Sequence, residues 1–148
     1  MKPGIVQVGC AAGLLLLLSG CSTQPASTVS DTSGSSPLDQ CWQKVDARSQ
    51  LAGCLQQMLS NEGAKANQEE KQTKSQAHQL DITTAANINA EKHFESAKRS
   101  FHQFRERYCR WQEAMIAGGS GAGDNYRACY VETTHWWNQL LEKQLQDN

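Results

Sequence analysis

Phe94, Ala97, Phe101, Phe104, Tyr108, Trp111 and Met115 recur at spacings of 3, 4, 3, 4, 3 and 4. Only a helix puts all seven on one stripe. No proline follows Pro37, so nothing in the sequence obviously interrupts helices beyond it. The pattern predicts a long helix from about Ile82, or earlier, to about Ile116. Gly118 and Gly119 should end it, because glycine accepts the left-handed conformation that closes helices. A further helix is expected from about Asn125 to Gln144, with Asp124 as its N-cap. Its apolar face would hold Tyr126, Cys129, Tyr130, Thr133, Trp136, Trp137, Leu140 and Leu141. An earlier helix should begin near Ser49 and bury Leu51, Leu55, Met58 and Leu59. Its continuation, Ser60 to Gln79, is helix-prone but polar all round, and reads equally as an exposed helix or a mobile connector. Nine of the ten aromatic residues lie between Phe94 and Trp137, which places the core mainly in the last third of the chain. The expected fold class is all-α, a small antiparallel bundle or hairpin of about three helices.

The beginning of the chain reads differently. Lys2 precedes an apolar run from Ile5 to Leu18, 14 residues long. That is too short for a membrane-spanning helix, which needs about 20, and it fits the core of a secretory signal peptide. Leu18-Ser19-Gly20-Cys21 resembles the lipobox of bacterial lipoproteins. The resemblance implies cleavage after residue 20, lipid on Cys21 and anchorage to a membrane, since buried acyl methylenes contribute about 0.8 kcal/mol each. A plain secreted protein cut nearby, or an uncleaved anchor, is the alternative. The segment from Ser22 to Pro37 is small and polar, and cannot bury enough apolar area to offset chain entropy. It is expected to be a flexible linker, with residues 38–148 as the folded domain. Ser22 is not the aspartate that resembles an inner-membrane retention signal, so the analogy points to the outer membrane, facing the periplasm.

Of the 14 basic and 15 acidic residues, only Lys2 lies in the first twenty, which leaves a net charge of −2 after maturation. So nearly neutral a domain argues against nucleic acid as partner. The stretch Lys98 to Arg110 carries five basic residues against one acidic, yet its aromatics fall on the helical stripe and its charges on the other positions. It reads as an ordinary amphipathic helix.

Four cysteines remain beyond Cys10 and Cys21: Cys41, Cys54, Cys109 and Cys129. An even number in an exported domain reads as disulfides. Three connectivities exist, and spacing favours Cys41–Cys54 with Cys109–Cys129. A zinc site would want CxxC or closely paired histidines. Neither occurs, and His78, His93, His102 and His135 are scattered. The glycine-rich segment GGSGAG, Gly118 to Gly123, is not a phosphate loop. It lacks the lysine of GxxxxGK[ST], and its glycine spacing misses GxGxxG. It reads as the bend of a disulfide-closed helical hairpin. No GxSxG is present, and Glu69-Glu70, adjacent on a helix, would diverge. No catalytic residue, cofactor or metal is therefore expected. Trp136-Trp137 can point one indole at the core, and an outward one would be a contact candidate.

Several segments together resemble the LprI-like lysozyme-inhibitor family of small exported helical domains. They are Cys41 and, within SQLAGCLQQML, Cys54; AKRSFHQFRERYCRW, with Phe101, Phe104, Arg105, Glu106 and Cys109; and Gly118 to Ser120 with Tyr126-Arg127-Ala128-Cys129 and Glu132-Thr133-Thr134. The match spans Cys41 to about Leu141. Phe101 stands where the family often has tryptophan, and His135 where it often has arginine. The resemblance implies a disulfide-bonded envelope domain and, for some members, lysozyme binding. A structural or assembly lipoprotein without lysozyme contact is the other reading. Common animal lysozymes are strongly basic, so an inhibitor would profit from an acidic surface. Glu62, Glu69, Glu70 and Asp81 are the acidic candidates. A partner-binding role predicts an exposed apolar patch near Trp136-Trp137 or the GGSGAG bend. An enzyme would need a cleft with converging carboxylates.

Overall fold

The computed structural model describes residues 34–147. The expected signal peptide (1–20), the lipid site Cys21 and the linker up to residue 33 lie outside them. The described chain forms four helices and no strand: α1 (Pro37–Trp42), α2 (Arg48–Thr83), α3 (Ala90–Met115) and α4 (Ala122–Gln146). The last three make an antiparallel bundle in which α3 runs against both α2 and α4, as cross-helix pairs show. His78 meets Glu91 and Glu70 meets His102 between α2 and α3, whereas Cys109 is bonded to Cys129 and Arg105 to Thr134 between α3 and α4. The short α1 packs against α2 and α4.

The fold begins slightly before the expected boundary. Ser36 caps α1 by accepting from the Asp39 backbone N–H (3.1 Å), and its hydroxyl donates to Asp39 Oδ2 (2.7 Å). Pro37 occupies the first turn, where its missing N–H costs nothing. Cys41, on this unexpected extra helix, is bonded to Cys54 of α2, and Cys109 to Cys129, with Cα–Cα distances of 5.8 and 5.6 Å. The connectivity is the one that spacing favours.

The polar stretch Ser60–Gln79 is helix throughout, in the middle of the 36-residue α2. Its buried positions are Ala66, Glu69, Thr73 and Ala77. Small side chains there let two neighbouring helices approach. Polar groups then hold the seam. Asn138 Nδ2 donates to the Glu62 carbonyl (3.0 Å) and to Glu62 Oε2 (2.8 Å). Trp137 Nε1 donates to Glu70 Oε1 (3.0 Å). Lys74 reaches Glu91 and Glu95 at 3.4 and 3.3 Å.

α3 does not start at Ile82. The chain leaves α2 after Thr83 and turns through Asn89, whose φ of 53° is left-handed. Asparagine tolerates that conformation. Asp81 then caps α3 across the turn, its Oδ1 accepting from the Ala90 N–H (2.7 Å) and its Oδ2 from the Glu91 N–H (3.0 Å). No glycine or proline announces this turn, so helical periodicity alone runs through it.

At the other end of α3 the left-handed residues are Ala117 (φ 51°) and Gly118 (φ 72°). The turn therefore starts one residue before the glycines. An alanine there costs about 1–2 kcal/mol of local strain, offset in part by its stiffer unfolded chain. Ala117→Gly is expected to stabilise the protein by about 0.5–1 kcal/mol, read as a higher urea midpoint at unchanged slope. α4 starts at Ala122, with Gly121 at the cap position, so Asp124 sits in the first turn and is not the N-cap. There its carboxylate still favours the helix N-terminus and lies 3.3 Å from Arg127. Likewise Ser49 lies inside α2, whose cap residue is Ala47.

Two small cores result. One holds Cys41, Leu51, Leu55 and Ala128, with Leu38, Val45 and Met58 packed against it. The other holds Ala66, Phe101, Trp137 and Leu141. In it the Phe101 and Trp137 rings stack at 4.5 Å and 9°.

Candidate functional site

The seven-residue stripe of α3 does not enter the core as a unit. Phe101 is 6 % exposed, but Phe104 is 53 %, Trp111 54 % and Met115 67 % exposed. Tyr108 and Ala97 are exposed as well. The main reason is the width of the stripe: at 100° per residue Phe104, like Ala97, lies about 40–60° round the helix from Phe101, past the edge of the packed seam, and drift adds to this. A strict 3.5-residue repeat drifts about 20° per heptad around a straight helix. The ridge that stays buried or half-buried is Phe94, Lys98, Phe101, Arg105, Cys109 and Gln112, whose spacing averages that of the α-helix, 3.6 residues per turn. Beyond Phe101 this ridge holds an arginine, a disulfide-bonded cysteine and a glutamine, none of them a member of the stripe.

Arg105 shows how a charged side chain serves inside. Its Nη1 donates to Thr134 Oγ1 (2.8 Å), a side chain with no exposure, and its Nη2 lies 2.8 Å from His102 Nδ1. Its guanidinium lies 5.3 Å from the Phe101 ring centre and 4.3 Å from that of Tyr130. Since His102 Nδ1 must accept from Arg105, His102 Nε2 carries the hydrogen given to Glu70 Oε1 (3.0 Å), which fixes the tautomer. The chain Arg105–His102–Glu70–Trp137 ties three helices together. Thr134, Asn138 and Glu70 could not be found by looking for apolar periodicity.

What remains outside is an aromatic face. Phe104 and Tyr108 stack at 5.4 Å, and Trp111 follows at 5.8 Å from Tyr108. Trp136 of α4, half-exposed, extends the face and meets Phe101 at 6.0 Å. Of the tryptophan pair, Trp137 is thus the core residue and Trp136 the outward one. Met115 and the exposed Ile116 carry the face to the GGSGAG bend. Tyr108 also lines a cavity of about 160 Å³ with Ser36, Leu38, Gln112 and Glu132. Exposed apolar side chains thus lie both at Trp136 and beside the bend.

A charged cluster lies on the other side of α3, since Glu106 and Arg110 follow Phe104 and Tyr108 by two residues each, about 200° round the helix. Tyr126 Oη donates to Glu106 Oε2 (2.8 Å), and Arg110 bonds Glu106 and Glu113, each at 3.0 Å. Burial, then the Glu106 carboxylate, pushes the Tyr126 phenol up to about 12. Tyr126 and Arg110 in turn hold Glu106 below the ordinary carboxylate value. Arg107 and Glu132, both exposed, have no ionic or hydrogen-bond partner among the described residues.

The four acidic residues weighed for lysozyme are all engaged within the bundle. Glu62 bonds Asn138 and His135, Glu70 bonds Trp137 and His102, and Asp81 caps α3. Glu69 is buried beside Lys65 at 3.5 Å. These residues give no free acidic patch.

A second concavity, about 440 Å³, lies between α2 and the end of α4 and is lined by Lys65, Glu69, Gln72 and Glu142. Two carboxylates do converge here, but on one lysine that pairs with both (3.5 and 3.0 Å). Glu69 Oε2 is buried without a partner. Burial raises the Glu69 pKa, against the pull of Lys65. A carboxyl raised in the folded state stabilises below its unfolded pKa, and that contribution is lost as pH rises through the folded value. Glu69→Gln is therefore expected to stabilise at pH 7 by about 1 kcal/mol or less. The gain should vanish as pH falls below the ordinary glutamate range, in paired urea titrations. Among the described residues no group of three or more His, Cys, Asp or Glu side chains is placed to hold a metal ion. No described helix is long and apolar enough to cross a membrane. Compared with known proteins, the chain matches no family model, no curated protein and no solved structure.

Proposed function

We propose that this chain is a membrane-anchored envelope lipoprotein, lipidated on Cys21, whose helical domain binds a protein partner. The observation that carries the binding role is the exposed face of Phe104, Tyr108, Trp111 and Trp136 on a disulfide-stapled scaffold. Aromatic side chains exposed on rigid helices are what hot spots are made of, and a contiguous apolar patch on a soluble domain marks an interaction site. The two disulfides are compatible with an oxidising compartment. The anchor rests on the sequence around Cys21.

Lysozyme is the candidate partner that the family resemblance suggests. The second reading, a structural or assembly lipoprotein without lysozyme contact, is favoured by one observation: Glu62, Glu69, Glu70 and Asp81 are spent on internal bonds. Lysis of cell walls by lysozyme, followed by turbidity with the oxidised, non-lipidated chain titrated in, separates the two. Stoichiometric loss of lysis that disappears on disulfide reduction supports inhibition. Undiminished lysis at large excess of folded protein leaves the structural reading. The anchor has its own test. Palmitate labelling and membrane fractionation should both be lost in Cys21→Ala, and a labelled, membrane-bound Cys21→Ala protein would refute it.

A further inference from the structure

We infer that the α3–α4 aromatic face is the interface of a two-fold symmetric dimer of this chain, with the two copies of α3 parallel. The inference deepens the protein-binding reading by naming the partner of that face, and it leaves lysozyme, if bound, to another surface.

The argument lies in the two unpaired charges that flank the face. Successive residues on a helix point about 100° apart. Cys109, bonded to α4, is on one side of Tyr108, so Arg107 is on the opposite side, away from α4. Glu132 of α4 lines the same cavity as Tyr108, on the side of Cys109 and Cys129. Tyr108 therefore lies between an arginine rim and a glutamate rim. The two rims are also level. Cys129 is bonded to Cys109 and Thr134 to Arg105, so Glu132 stands beside the turn from Arg105 to Cys109, the turn that carries Arg107.

A face with opposite charges on its two rims is matched by neither a uniformly acidic nor a uniformly basic partner. An anionic membrane surface would likewise repel Glu132. Such a face is matched by itself. An isologous interface brings the same patch from both copies together. A two-fold axis parallel to α3 puts the arginine rim of each copy against the glutamate rim of the other, at the same height. A two-fold perpendicular to α3 would put arginine against arginine. The rim charges thus select the parallel arrangement, while the aromatics supply the affinity. The residues of the face also repeat every 3.5 residues, the period of a seam between two helices. A parallel two-fold further leaves Ser36, where the chain leads back to Cys21, at the same end of both copies. Two proteins anchored in one membrane surface need this; that point alone rests on the proposed lipid anchor.

Sedimentation equilibrium of the exported chain, with its amino-terminal segment intact, tests the inference. Dimerisation is expected, weakened at least roughly tenfold by Trp111→Ala. Arg107→Glu and Glu132→Arg should each weaken it by roughly tenfold, and the doubly swapped chain should recover. All three positions are exposed, so circular dichroism should show unchanged folding. In a parallel pair Trp111→Cys should cross-link to itself. A chain that stays monomeric to about 1 mM would overturn the proposal, as would a dimer indifferent to these substitutions, or one in which the swap brings no recovery. Cross-linking of position 111 to position 104 rather than to itself would overturn the parallel arrangement. Lysis assays on the monomeric Arg107→Glu chain keep the two readings apart: inhibition there separates lysozyme binding from dimerisation.

Discussion

Phe101→Ala is expected to destabilise the protein by about 3–5 kcal/mol, whereas Phe104→Ala should change stability by no more than about 0.5 kcal/mol. The two residues are of one type, on one helix, three positions apart. Phe101 is 6 % exposed, stacks on Trp137 at 4.5 Å and lies under the Arg105 guanidinium. Its removal leaves a cavity between α3 and α4 and takes one of the two rings from the Arg105 guanidinium. Phe104 is 53 % exposed and touches mainly Tyr108 along its own helix. Urea unfolding of the two variants measures the contrast. Equal costs would show that the exposed half of the stripe is buried in solution, and they would move the aromatic face into the core. If the dimer forms, Phe104→Ala should weaken association instead, and the two readouts separate folding from binding.

Replacing Cys109 and Cys129 together by alanine should cost about 3 kcal/mol, in the chain-entropy account of a loop of this size. The bond closes 20 residues across the α3–α4 bend and its Cys109 end has no exposure. For a domain with two small cores, that is a large part of a total of about 5–15 kcal/mol. The bond also holds Arg107 and Glu132 level on either side of Tyr108. Loss of the bridge should therefore weaken self-association more than its effect on stability accounts for. Thermal unfolding followed by circular dichroism gives the first quantity. A melting temperature unchanged from the parent would mean that helix packing alone defines the hairpin.

The sequence alone determined a good deal. The helical class followed from the 3.5-residue recurrence of apolar side chains and the lack of proline after Pro37. The disulfide pairing followed from spacing, and the hairpin bend from GGSGAG between two cysteines. The expected apolar face of α4 held both Trp136 and Trp137, with one indole open to point outward; the structure buries Trp137 and leaves Trp136 and Leu140 exposed. Tertiary structure decided the rest. It broke the expected long helix at Asn89, because a carboxylate from Asp81, on the other side of the turn, caps α3. It made helix of Ser60–Gln79, because Ala66, Thr73 and Ala77 are small enough for close approach and Glu62 and Glu70 find partners on other helices. Such bonds link residues 67 and 76 positions apart, far outside any local pattern. Above all, it chose which part of the α3 stripe is core. The stripe is wider than the packed seam, and a 3.5-residue repeat and a 3.6-residue helix part company after a few turns. Packing then half-buried Arg105, with its Nη1 and Nη2 bonded to Thr134 and His102 and its Nε left without a partner among the described residues, and left Phe104, Tyr108 and Trp111 facing outward.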